Sequence, residues 1–425
     1  MAHRIALISD HASPLAAAGG IDSGGQNVYV AAVARNLARL GHSVDVFTRC
    51  DSPDLAPVVD WQPGVRVVHV PAGPAEFVRK ERLLPMMEDF AAFMRRFCER
   101  EGGYDLAHAN FFMSGLVASE LKTALGIPFV MTFHALGLVR RMHQGDADEF
   151  PQERTAIERR LMADADAIVA ECPQDLDDLV QLYGANPRGI AVIPCGYEPK
   201  QFWPVERRFA RKTLGLEPNS KLVLHLGRLV PRKGADNVIR GLARLVHRQR
   251  TAATLLIVGG NSDIPDPQVT PEIRRLREIA QSEGVAGRVV FTGRRSREVL
   301  KLYYSAADAF VTTPWYEPFG ITPVEAMACG TPVIGSNVGG IKYSVVDNET
   351  GFLVPPNEPD SLARQLAELY GNPRLGKRLG RAAARRAQRL FTWGTVTRAI
   401  AALYDDVQAG KARSFGRVPG VAAAA

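Results

Sequence analysis

Short runs of β-branched and aliphatic residues alternate with longer, helix-periodic segments from one end of this chain to the other. That alternation constrains the fold more than any other feature. Runs such as Ile5–Ser9, Ser43–Thr48, Val65–Val70, Leu106–Asn110, Phe129–Phe133, Ala167–Glu171 and Ala191–Pro194 are short and predominantly apolar, and longer periodic segments separate them. They read as strands buried on both faces, which is the signature of parallel sheets with crossover helices. A second series follows at Leu222–Gly227, Ala253–Val258, Val289–Thr292, Ala309–Thr312, Pro332–Ser336 and Gly351–Val354. Two series in 425 residues exceed one small core and predict an α/β chain of two doubly wound, Rossmann-like domains. Ligands of such sheets sit beyond the carboxyl ends of the strands. Two facing domains would therefore place a site in the cleft between them. The expected boundaries are 1–196 and 197–391, then a terminal helix over 392–409 and a disordered tail over 410–425.

Residues 317 to 340 carry the densest chemical signal. Glu317 and Glu325 stand eight residues apart, around a Pro-Phe-Gly turn and the first turn of a short predicted helix. Thr322 suits its cap, Pro323 its first position and Gly330 its end. Uncapped amides at a helix start form an anion site, and flanking carboxylates suit sugar hydroxyls. Together they describe a nucleotide-sugar. Thr322-x-x-Glu325 also reads as a capping box, in which Glu325 serves only the helix.

This segment resembles the donor-site motif of retaining GT-B glycosyltransferases, the family that includes sucrose-phosphate synthase, sucrose synthase and the glycosyltransferase of mycothiol synthesis. The likeness rests on the spacing of the two acids, the run Glu325-Ala-Met-Ala-x-Gly330-x-Pro-Val, Gly339-Gly340 and Glu349-Thr-Gly-Phe-Leu-Val. It covers about residues 4 to 405. The resemblance implies a hexose transferred from a nucleoside-diphosphate sugar, UDP-glucose or a similar UDP-hexose, with retention and without a required metal or other cofactor. It implies that Arg228 and Lys233, in Gly227-Arg228-x-x-x-x-Lys233, neutralise the leaving diphosphate. Glu317 would bind the donor sugar and Glu325 the ribose, with Phe319, Gly320, Ile321 and Thr322 lining the phosphates. Arg294 would lie by the base, and His134, after a strand end, would contact the sugar's terminal hydroxyl. His108 suits a structural or acceptor-side role.

The glycine loop Gly19-Gly20-Ile-Asp22-Ser-Gly24-Gly25-Gln26 follows the first strand and opens a helix. Its glycines allow close backbone approach, but it lacks the Lys-Ser/Thr of a P-loop and the spacing of a dinucleotide fingerprint. The resemblance puts Gly24 and Gly25 at the donor and Gln26 toward the acceptor. Lys80, Arg140 and Arg154 match bases that hold an acceptor phosphate in some members; the alternative is a solvated helix face. Two hydroxyl positions of that pocket are Phe111 and Ala135 here. The acceptor class is thus a sugar, an inositol phosphate or a glycan.

Other classes fit less well. The net charge is +7 with a pI near 9.2, and the bases are spread over predicted helices without interleaved aromatics, which disfavours nucleic acid. Peripheral contact with an anionic membrane through a basic face of the N-terminal domain stays open, as does the oligomeric state. No apolar run is long enough to span a bilayer and no signal peptide is evident, so the cytoplasm is the expected location. The five scattered cysteines show neither metal nor disulfide spacing. Asp164-Ala-Asp166 imitates a metal-binding pair but precedes a buried strand. A UDP-sugar epimerase or a sugar-nucleotide-binding regulator are the non-transferase alternatives.

Overall fold

The computed structural model describes residues 2–16 and 24–410. Gly19, Gly20 and Asp22 of the glycine loop, and the tail from 411 onward, lie outside the described residues. The chain forms two compact units. One holds the described residues up to Pro194 together with those from Trp393 onward, and the other spans Cys195–Thr392.

The first unit is built on an eight-stranded sheet: β1 Arg4–Ile8, β2 Ser43–Arg49, β3 Val58–Gln62, β4 Val65–Val70, β5 Leu106–Asn110, β6 Phe129–Thr132, β7 Ala167–Ala170 and β8 Ile190–Val192. Their order is β3-β4-β2-β1-β5-β6-β7-β8. All pairs are parallel except β3–β4, an antiparallel hairpin closed at Pro63-Gly64, where Gly64 takes a φ of 79°. The doubly wound parallel sheet expected for this unit thus forms, with one antiparallel strand added at its edge. Val58–Gln62 carries Asp60 and a half-exposed Trp61, so it lacks the apolar run of a buried strand and is legible only as an edge. The central strands are buried along nearly their whole length, which is why they read as predominantly apolar runs.

The second unit carries β9 Leu222–Leu226, β10 Thr254–Val258, β11 Val289–Gly293, β12 Ala309–Thr312, β13 Val333–Ser336 and β14 Gly351–Val354, in the order β11-β10-β9-β12-β13-β14 and parallel throughout. The order reverses beside β9, between strands β9 and β12, and such a switch point opens a crevice at the carboxyl ends. The first sheet reverses likewise at β1 and β5. Where the chain enters and leaves the second unit, the Tyr197 amide donates to the Phe391 carbonyl at 2.8 Å.

The last helix, Trp393–Gln408, belongs to the first unit. Trp393, Val396, Ile400, Leu403 and Tyr404 are buried. Trp393 meets the Tyr29 ring edge-on at 5.7 Å, on the helix Gly25–Arg39. The Tyr404 hydroxyl lies 2.6 Å from His108 Nδ1.

Candidate active site

In the second unit, β9 ends at Leu226 and the chain turns through Gly227 and Arg228 into a short 3-10 turn, Pro231–Lys233. Gly234 follows with a φ of 71°, and a Cβ there would stand 1.9 Å from the Thr313 carbonyl oxygen. That close approach fixes Lys233 against the loop that leaves β12. Its ammonium donates to Glu317 Oε2. Both side chains are mostly covered, 20% and 14% exposed. Burial pulls the Lys233 ammonium down to about 8, with Arg232 and Arg228 adding to the fall and Glu317 opposing it. Burial would raise the Glu317 carboxyl, but Lys233, Arg232 and Arg228 together outweigh it and hold it below its ordinary value. Cation and carboxylate thus share one small volume.

The Gly339-Gly340 pair explains the shape of this loop. A Cβ on Gly339 would lie 1.9 Å from the Glu317 carbonyl oxygen, and one on Gly340 would lie 2.3 Å from Phe319 Cα. The Gly340 amide donates to the Glu317 carbonyl at 3.1 Å. Backbone is thus laid directly on backbone, holding Glu317 and the turn after it. Phe319 is buried and faces the Phe391 ring at 6.0 Å.

The helix begins at Ile321 with Gly320 as its N-cap, at a φ of 92° and without a side-chain cap bond. The anticipated capping box does not form, because Thr322 lies inside the first turn rather than before it. Gly330, at a φ of 73°, does end the helix, following Cys329. Ile321 and Thr322 are half-buried at the open end of the helix. Their amides remain free of side-chain caps, as an anion site requires. Glu325 is 1% exposed. Its carboxylate takes Arg297 Nη2 at 2.5 Å and the Tyr304 hydroxyl at 3.0 Å. Glu325 is therefore tied to one neighbouring helix, Arg297–Ala306, not to its own N-terminus. Arg294, after β11, pairs with Asp263 at 3.3 Å while its amide donates to the Ser262 carbonyl. Sequence reasoning missed Arg232: its guanidinium lies 5.1 Å from the Tyr316 ring centroid, and Nη1 is buried without a protein partner.

In the first unit the strand ends gather a second polar group. His134, just beyond β6, adopts a φ of 58°, and Phe111, just beyond β5, a φ of 84°. Such conformations are costly for non-glycine residues and gather at functional sites. The His134 ring is held on both sides, Nδ1 2.9 Å from Glu171 Oε1 and Nε2 3.0 Å from Asn110 Oδ1. The Asn110 amide nitrogen donates to the Ile8 and His108 carbonyls, so its oxygen must face the histidine. Gln26, on the first turn of the helix Gly25–Arg39, donates to the Asn110 carbonyl at 3.2 Å and to Ser9 Oγ at 3.3 Å. The Gly24 amide donates to Asn27 Oδ1 at 2.9 Å, closing the helix start. Asn110 and Glu171 were not singled out from sequence, although their place at the ends of β5 and β7 was a usable signal. His108 is buried between Tyr404 and Thr132 and burial lowers it to about 3, so it is a neutral, structural residue.

The three bases expected near an acceptor are not alike, and two of them are no solvated helix face. Arg154 is 1% exposed. Its Nε donates to Glu158 Oε1 at 2.8 Å and Nη2 to the Ala135 carbonyl. Its guanidinium is enclosed by the Phe111, Phe112 and Phe150 rings at 4.9, 4.8 and 4.6 Å. Nη1 alone is without a protein partner. Glu158 also accepts from the Tyr183 hydroxyl and the Gly137 amide. Arg140 pairs with Asp148 at 3.0 Å and lies 4.9 Å from the Phe150 ring. Lys80 opens a 3-10 turn, Lys80–Arg82, and is half-buried. The metal-like Asp164 and Asp166 bind Ser119, Lys122 and the Phe129 amide instead, and no cluster of potential metal ligands occurs among the described residues.

Residues 206–386 match the family described as glycosyl transferases group 1, and residues 24–196 match the glycosyl transferase 4-like domain. The chain is 35% identical to the D-inositol 3-phosphate glycosyltransferase of Corynebacterium diphtheriae, covering 96% of this chain and 95% of the relative. It is 38% identical to the enzyme of the same name from Acidothermus cellulolyticus, covering 96% and 91%. Sucrose-phosphate synthase from Thermosynechococcus elongatus superposes with a TM-score of 0.88 at 34% identity, over 96% of this chain and 100% of that one. Anabaena HepE in complex with UDP and glucose shares the fold, with a TM-score of 0.72 at 22% identity over 95% and 99%. The chain is thus a glycosyltransferase of GT-B fold and belongs to the glycosyl transferases group 1 family.

Proposed function

We propose that this protein transfers a hexose from a nucleoside-diphosphate sugar, UDP-glucose or a close analogue, to a hydroxyl acceptor with retention of anomeric configuration and without a required metal. The single observation that carries the reading is the compact group at the end of β9. Lys233, Arg228 and Arg232 surround Glu317 beside the uncapped amides of Ile321 and Thr322. Cations and helix-start amides suit a departing diphosphate, whose charge grows as the glycosidic bond breaks. Glu317, held as a carboxylate, suits the hydroxyls of the donor sugar. A diphosphate arriving here would compete with Glu317 for Lys233, freeing the carboxylate for the sugar. His134, clamped by Glu171 and Asn110, is the group we assign to the donor sugar from the first unit, with Gly24, Gly25 and Gln26. Retention is supported by the resemblance alone.

The acceptor we favour is a sugar or inositol phosphate, the class in the names of the inositol phosphate and sucrose-phosphate enzymes. Arg154 Nη1 is the buried donor left for it. A second reading has its own observation. Phe111 and Ala135 offer no hydroxyl, and the aromatic box already contacts the Arg154 guanidinium, which suits a neutral glycan. UDP release across a panel of donors and acceptors tests both, with product anomeric configuration read by NMR. No UDP release with any acceptor, despite donor binding, would leave a regulator; donor conversion without acceptor would mean an epimerase. Inversion would refute retention, full activity in chelator is expected, and equal use of neutral and phosphorylated acceptors would favour the glycan.

A further inference from the structure

The chain's formal charge of +7 comes from 52 basic against 45 acidic residues. One helix accounts for all of it. Pro373–Leu390 carries seven Lys/Arg and no acid, so the remainder of the chain is neutral. Six of the seven, Arg374, Lys377, Arg378, Arg381, Arg385 and Arg389, are exposed. None of the six is paired with an acid among the described residues. The seventh, Arg386, turns inward to the Tyr343 and Ser344 carbonyls. Other exposed bases of this unit do find acids, as Arg248 does with Asp360 and Arg207 with Asp308.

The stripe works against its own helix. Arg374 and Arg378, Lys377 and Arg381, Arg381 and Arg385, and Arg385 and Arg389 are all like charges four residues apart, an arrangement that destabilises a helix. The opposite face is fixed: Leu379, Gly380, Ala383 and Ala387 are buried, and a Cβ on Gly380 would stand 2.1 Å from the Gly330 carbonyl oxygen. The helix cannot roll its charges toward a partner within its unit. A row of cations held outward in this way fits an external polyanion.

We propose that the exposed face of Pro373–Leu390 docks the protein onto an anionic lipid surface. Between the cations stand Gly376, Ala382, Ala384 and a single amide, Gln388. No aromatic side chain is there to stack on bases and almost nothing to read base edges, which disfavours nucleic acid. The apolar face is committed to the protein core, so the helix adds charge without insertion. A planar surface of anionic headgroups asks only for such a low, straight ridge. This surface lies on the second unit and is distinct from the basic face expected on the N-terminal domain.

The test is co-sedimentation of the full chain with vesicles of phosphatidylcholine mixed equally with phosphatidylglycerol, and with phosphatidylcholine alone. Binding to the anionic vesicles alone is expected at low salt, with release as salt shortens the screening length. The variant R378Q/R381Q/R385Q/R389Q should partition at least about a hundredfold more weakly, at roughly fivefold per charge. Gln keeps helix propensity, so its melting temperature and its UDP-sugar turnover without vesicles should not fall. Absent or salt-insensitive binding by the native chain, or equal binding by the variant, would overturn the proposal. So would tighter binding to duplex DNA than to the anionic vesicles in the same buffer.

Discussion

Lys233 links the chemistry of the second unit to its electrostatics. Lys233→Ala is expected to lower turnover at least tenfold, equal to about 1.4 kcal/mol of transition-state stabilisation. Circular dichroism should show the fold retained, since Gly234 rather than the lysine side chain sets the local packing. Burial lowers the lysine from its ordinary 10.5 to about 8, so the folded chain releases this proton before the unfolded chain does. Two consequences have opposite sign. Between about pH 8 and 10.5 this group's contribution to stability rises with pH, because the unfolded state then binds more protons. Over the same window the cation is lost, so kcat/KM for the donor should fall above about pH 8. Lys233→Arg, which stays charged, should remove that fall even if its absolute rate is lower. A pH–rate profile with the same alkaline limb in Lys233→Arg would assign the limb to another group.

At the scale of elements, two loops and one helix form the candidate donor motif, and each has a distinct vulnerability. Gly339→Ala would drive a Cβ into the Glu317 carbonyl at a positive φ, so the loop must shift. We expect loss of at least tenfold in activity together with a lower melting temperature. Intact activity would show that the position of Glu317 is not critical. Glu325→Gln separates two roles. A capping box would tolerate the amide, but Gly320 is the cap and Glu325 instead receives Arg297 and Tyr304. Replacing this 1% exposed carboxylate weakens a charge-assisted bond, so destabilisation of about 1.5–3 kcal/mol is expected by chemical denaturation. An unchanged midpoint with weaker donor binding would give Glu325 a purely ligand-directed role.

At the scale of the whole molecule, the chain closes on itself through its last helix. Tyr404 in Trp393–Gln408 engages buried His108 on β5, about three hundred residues earlier in sequence. Tyr404→Phe leaves the buried His108 Nδ1 without its partner, which should cost about 1–3 kcal/mol of stability in the first unit. Activity at a temperature well below melting should be preserved. Differential scanning calorimetry checks this, and an unchanged transition would show the bond to be energetically silent. The same scale explains the charge: outside Pro373–Leu390 the chain is balanced, so its basic pI reports one surface rather than a general property.

The sequence by itself determined the class of each unit and named the candidates for a donor site. Buried parallel strands must be largely apolar, and Arg228, Lys233, Glu317 and the Gly-Gly pair occur at spacings tied to strand ends. Val58–Gln62 escaped because an edge strand exposed on one side lacks that run. Only the tertiary structure decided what the polar residues contact. Of the two readings of Glu325, the helix cap fell away because the N-cap is Gly320, two residues before Thr322, and the carboxylate receives Arg297 instead. Arg154 became a guanidinium inside three phenylalanine rings because β5, β6 and the segment around Phe150 converge there. Glu171 and Asn110 became the two sides of His134 because β5, β6 and β7 are adjacent. Linear spacing encodes which face of an element is buried; it does not encode which side chains from distant strands meet, since that depends on sheet order and register.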